Sequence, residues 1–186
     1  MPDRALFPVL FAMTAVGLWL LARTEGFRWH DLRRGAVPTW LVAGFALGVA
    51  ALSAGVVEAV APAAFLGLVQ HNPAFFGVIV VLYPILSALP QELLFRVLYF
   101  RRYGAMLPGG WPGLALNGAI FALAHLMFHS WVVAAMTFAG GIVFAWAYER
   151  RGSFPLAVAL HAVAGWAIFG MGLGVLFYLG HPTPQF

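Results

Sequence analysis

The sequence predicts an all-α protein, a polytopic membrane helical bundle of about six to seven transmembrane helices. Three observations predict it. Of 186 residues, 63% are hydrophobic and only 9% are charged, whereas roughly a quarter are charged in a soluble domain. Mean hydropathy is +0.91, which suits a bilayer as solvent. The apolar residues also fall in long runs, separated by short loops that hold most of the arginines. The expected organisation is one integral membrane domain over residues 1–186, placed in the cell membrane with the lipid bilayer as its surroundings.

The first run, residues 5–22, is closed by Arg23. Its length and the lack of a small-x-small cleavage site favour a span over a signal peptide. The second run, 38–60, ends near Glu58. The third begins at Pro73 and keeps a helical pattern to about residue 100, with Pro84 and Pro90 inside it. At ~1.5 Å per residue it is about 42 Å long, more than a ~30 Å hydrocarbon core needs. It is expected to kink at the prolines and run into the interface. The fourth and fifth runs are 112–128 and 131–148. The last, 154–179, contains Gly170, Gly172 and Gly174, which leaves one long helix or two short ones open.

All ten basic residues are arginines, and there is no cysteine. The second fact excludes a disulfide framework, a thiolate nucleophile and a thiolate metal site. A net charge of +4 raises the question of a nucleic-acid partner. The arginines, however, sit singly or in pairs beside apolar runs, a pattern that encodes membrane topology rather than phosphate binding. No nucleic acid is expected. Arg23, Arg28, Arg33 and Arg34 occupy the first loop, Arg101 and Arg102 the third, Arg150 and Arg151 the fifth. The second and fourth loops carry none, so six spans with both termini outside are expected. Residues 26–35 mix aromatics with arginines and are expected to lie along the cytoplasmic interface.

Few polar side chains fall in or near the spans: Glu58, Gln91, Glu92, Arg96, Asn117, His125, His129 and His161. An ionisable group at the bilayer centre costs ~2.5–3.5 kcal/mol on insertion scales, so each is a functional candidate. Glu92 and Arg96 are four residues apart, hence neighbours on a helix face. They are either a self-neutralising pair or a general base with its orienting cation. Asn117, Phe121, His125 and His129 recur every four residues. His129, beside Ser130 and Trp131 in a short loop, reads as interfacial, as does Glu58. His161 is the only polar side chain between Phe154 and Gly170 and must face another helix.

Three spans thus bring one proton-handling group each, Glu92, His125 and His161. They are expected to converge on a shared polar cavity, with Arg96 paired to Glu92. A carboxylate beside two imidazoles suits activation of water, one imidazole steering it and the other donating to a developing oxyanion. The same trio could instead hold zinc, with a position open for water. No HExxH helix is present, so zinc is the weaker alternative and no cofactor is expected.

The order QELLFR, FALAH, HAVAG resembles the three motifs of the CPBP (Abi) family, bacterial relatives of the type II CAAX prenyl endopeptidase. Those motifs are Glu-Glu-x-x-x-Arg, Phe-x-x-x-His and His-x-x-x-Asn or a similar residue. The resemblance covers about residues 75–178 and includes GGIVFAWAYERRGSFPLAVALH ahead of the third motif. It implies a glutamate-dependent intramembrane endopeptidase that cleaves a membrane-embedded or lipid-anchored protein. The sequence does not name the substrate, and a prenylated CAAX protein is not the expected one. Carried over by position, Glu92 matches the second glutamate, Arg96 the arginine, Phe121 and His125 the second motif, and His161 the third.

Two departures stand out. The first glutamate is Gln91 here, and an amide cannot accept a proton at neutral pH. The third motif's last polar residue is Gly165, which removes a candidate oxyanion donor. Either Glu92 has become the base, with Gln91 or Asn117 as a hydrogen-bond donor, or the chain is an inactive binding or immunity protein. A proton-coupled carrier is a third reading, disfavoured by the absence of inverted repeats.

Overall fold

The structure, a computed structural model, describes residues 5–177. Residues 178–186, where the sixth run and the family-like core were expected to finish, lie outside the described residues, as do residues 1–4. Regular structure among the described residues is entirely helical. Six apolar helices carry it: α1 (Leu6–Ala22), α2 (Thr39–Val60), α3 (Pro73–Met106), α4 (Gly110–Ala124), α5 (Trp131–Glu149) and α6 (Phe154–Met171). The last five belong to segments long and apolar enough to cross a membrane, and α1 is a shorter apolar helix. The protein is a multi-pass integral membrane protein.

Polar side chains at the loop ends start the helices. Asn72 Oδ1 accepts from Phe75 N at 3.1 Å ahead of Pro73. Ser153 Oγ accepts from Leu156 N at 3.1 Å ahead of α6. Each satisfies a backbone donor that the first turn leaves without a partner.

Inside α3 the helix widens twice, first from Pro84 and again just beyond Pro90, and continues. Two π-helical turns, Pro84–Ala88 and Leu93–Leu98, flank an α-helical stretch at Leu89–Glu92. A proline cannot donate to the carbonyl four residues back, and a π turn shifts the bonding to the fifth, which passes over the missing donor. The change of register also turns the helix. Phe75, Val78 and Val81 ahead of the first π turn, and Ile85 within it, are exposed. Further along, Ala88, Glu92, Arg96 and Val97 are buried.

α6 is the central helix: 56% of its apolar window is buried, against 11% for α2 and α3. It packs against α2 and α5, and α5 packs against α4. Small residues let the last pair approach, since a Cβ on Gly141 would lie 2.8 Å from Gly118 Cα. α1 lies on the second half of α3, where Leu21 packs with Leu93 and Val97. The glycines after Phe154 resolve as one α-helix that stops at Gly172, followed by the 3-10 turn Leu173–Phe177. Gly172 has φ +104°, and a Cβ there would overlap the Ala64 carbonyl oxygen. Only glycine meets both demands at this crossing.

The three arginine-bearing loops meet at one end of the bundle, where Asp31, Arg34, Arg101 and Arg150 surround one cavity of about 610 Å³. The opposite end closes on Val57, Phe128, Val133 and Leu173. This common end fits the topology read from loop charge. In the cysteine-free chain, an Arg102→Cys reporter should label only from the cytoplasmic side and His71→Cys only from outside. Labelling of position 102 in intact cells by an impermeant maleimide would reverse the orientation.

Candidate functional site

Glu92 lies between the two π turns of α3 and is fully buried, as are Arg96 and Asn117. His161, at mid-length of α6, is 5% exposed. Its Nδ1 lies 2.9 Å from Glu92 Oε1, and donation from that nitrogen leaves Nε2 as the acceptor. Arg96 Nε stands 3.1 Å from Glu92 Oε2 as an ion pair, off the line a hydrogen bond requires. The rest of the guanidinium is held from α4 and by rings. Arg96 Nη1 donates to Asn117 Oδ1 at 2.5 Å, and Asn117 Nδ2 donates to Phe95 O at 2.7 Å. The guanidinium carbon lies 4.8 Å from the Phe121 ring centre and 5.6 Å from that of Phe144. An arginine clamped on three sides and facing a carboxylate cannot swing out to water, so the charge at Glu92 is fixed in place.

Aromatic rings position the imidazoles. His161 stacks on Phe144 at 4.8 Å with planes 11° apart, and Phe121 stands edge-on to it at 5.6 Å. His125 caps α4, its Nδ1 2.7 Å from the Phe121 carbonyl oxygen and its ring 4.5 Å from the Phe121 ring. Phe121 is therefore the ring through which His125 joins the group at Glu92. The structure sets Arg96 and His161 directly against Glu92, and His125 one ring away. His129 falls off the four-residue stripe. α4 ends at Ala124, a short 3-10 turn follows, and His129 takes a left-handed conformation (φ +50°) in the exposed loop. Glu58 is exposed near the end of α2, away from the cluster.

Next to the charged group is an apolar cavity of about 940 Å³ between α1, α3, α4 and α6. His125, Gln91, Ser87, Tyr83 and Gly165 are among its walls. Gln91 Nε2 donates to Ser87 Oγ at 2.8 Å. The Tyr83 ring is edge-on to His161 at 5.9 Å. Sequence reasoning missed Tyr83 and Ser87, although the four-residue spacing of Tyr83, Ser87 and Gln91 could have found them. It offered Asn117 as a hydrogen-bond donor at the site, whereas Asn117 accepts from Arg96 and donates to the Phe95 carbonyl, both on another helix.

Glu92 Oε1 is engaged by His161, and Oε2 faces a guanidinium. Among the described residues no three histidine, aspartate or glutamate side chains come together as metal ligands.

A family model described as "Type II CAAX prenyl endopeptidase Rce1-like" matches residues 73–167, the stretch from the start of α3 through His161. No curated protein and no solved structure gives a significant match.

Proposed function

We propose, from the premise that this chain belongs to the Rce1-like family of type II CAAX prenyl endopeptidases, that it hydrolyses a peptide bond within the membrane with Glu92 as general base. The family supports a CAAX-type intramembrane peptidase, and the glutamate mechanism is our reading of the residues. One observation carries it: a fully buried carboxylate held between Arg96 Nε at 3.1 Å and His161 Nδ1 at 2.9 Å. An ionised carboxylate has about four lone-pair sites, so two partners leave it able to take a proton from water.

In this reading His125, with Nδ1 donating to the Phe121 carbonyl, keeps Nε2 as an acceptor that orients the water. Glu92 removes one proton, and the hydroxide oxygen bonds to the scissile carbonyl carbon. The C–N bond then breaks as Glu92 returns the proton to the leaving amine. Arg96 and His161 hold the carboxylate in one orientation through the cycle. The apolar cavity beside Gln91 and His125 gives a lipid-anchored substrate an environment it can enter from the bilayer. The family description includes prenyl substrates, which weighs against the expectation that a prenylated protein is not the substrate.

The test is a purified chain in liposomes, given internally quenched peptides ending in a CAAX tetrapeptide, with and without a farnesyl group. Cleavage is expected to survive 1,10-phenanthroline and to be lost in His125→Ala, while Glu58→Gln cleaves normally. Loss of activity with the chelator and recovery with zinc would return the site to metal chemistry. An inactive wild type on both probes would favour a binding protein that has kept the pocket.

A further inference from the structure

The two departures from the family pattern, Gln91 and Gly165, line the same cavity as Tyr83. A Cβ built on Gly165 would overlap the Tyr83 ring at Cε1 and Cζ. The volume that a polar side chain at 165 would claim is thus filled by a tyrosine from α3. That tyrosine faces His161 and lines the cavity, with Ser87 one helical turn further along α3 on the same cavity wall. The hydrogen bonds beyond it have a direction. Gln91 Nε2 donates to Ser87 Oγ. The Ser87 proton is then free to go to the Tyr83 oxygen, which leaves the phenolic proton to be donated elsewhere. A carboxylate at 91 could not start this chain, since an ionised carboxylate only accepts.

We propose that Tyr83 is the oxyanion donor of this enzyme, in place of the missing side chain at 165, with Gln91 and Ser87 as positioning residues that aim its O–H. The proposal rests on the peptidase reading above. It makes Gln91 and Gly165 two parts of one exchange: glycine opens the space, and the amide fixes the direction of the chain. Tyr83 would donate to the carbonyl oxygen as the hydroxide adds to carbon, and the bond would weaken again when the C–N bond breaks and the carbonyl re-forms. No proton needs to leave the phenol.

The test uses the full chain in liposomes with the farnesylated quenched peptide. Tyr83→Phe keeps the ring against Gly165, so the thermal unfolding midpoint should stay where it is. Loss of an oxyanion donor should lower kcat by roughly 10²–10³-fold with KM little changed. Gly165→Asn alone should also lose activity, because the new side chain meets the Tyr83 ring. Tyr83→Ala combined with Gly165→Asn, which rebuilds the donor from α6, should recover activity above Tyr83→Ala alone. If Tyr83→Phe turns over like wild type while Glu92→Gln is dead, the donor assignment falls and the peptidase reading stands. If Glu92→Gln also turns over, or if the wild type cleaves neither probe, both fall.

Discussion

Glu92→Gln is expected to lower the cleavage rate by roughly 10²–10⁴-fold, the usual cost of removing a positioned general base. Glutamine keeps the shape of the side chain and an oxygen that can still face His161 Nδ1, so the group at the site stays assembled. What disappears is the ability to take a proton. No other acid can substitute, because Glu149, the only other acid in the segments that carry the motifs, is at the end of α5 among the arginine-bearing loops. The neighbouring amide at 91 cannot act as a base either. The rate should be measured on protein shown to be folded, since the substitution leaves Arg96 without its carboxylate. That cost is moderated, because the guanidinium keeps Asn117, the Phe95 carbonyl and two aromatic rings. Cleavage at the wild-type rate in Glu92→Gln would return Glu92 and Arg96 to a structural ion pair.

Arg96→Leu should be the most destabilising single change at the site, and the asymmetry with Glu92→Gln explains why. Arg96 has several partners beyond the carboxylate. Among the described residues Glu92 pairs with Arg96 and His161, so deleting the arginine leaves a buried negative charge facing leucine. Breaking a buried pair from one side costs about 3–5 kcal/mol. The substitution also strips Asn117 Oδ1 of its donor in a fully buried position. Thermal unfolding in detergent should show a large drop in midpoint, together with loss of cleavage. Arg96→Lys should fall between, because a single ammonium cannot reach both Glu92 and Asn117 in the way the guanidinium does. An Arg96→Leu protein as stable as wild type would mean that Glu92 is held by something other than this pair.

Hydropathy made the spans legible, since a bilayer leaves little choice about where long apolar runs go. The predicted starts at 38, 73, 131 and 154 lie within a residue of the observed helices. Spacing made the Glu92–Arg96 pair legible, and isolation made His161 legible: a lone polar group in an apolar helix needs a partner elsewhere. The π turns were not legible. Proline predicts a lost hydrogen bond, but whether the helix bends or widens depends on what packs around it. The distance between His125 and the charged group was not legible either. Sequence places His125 near Phe121, and only packing puts the Phe121 ring between the two imidazoles. Tyr83 escaped notice because a tyrosine in an apolar run reads as an anchor or as core.

A π turn is an α-helix into which one extra residue has been inserted, and the consequence for α3 is historical as well as geometric. Each such insertion rotates everything downstream by ~100°. A single codon gained ahead of Leu89 would therefore carry an entire lipid-facing segment round to the interior at once. Relatives in which either π turn is absent should align with this chain only across a one-residue gap, and the gap should fall within Pro84–Ala88 or Leu93–Leu98.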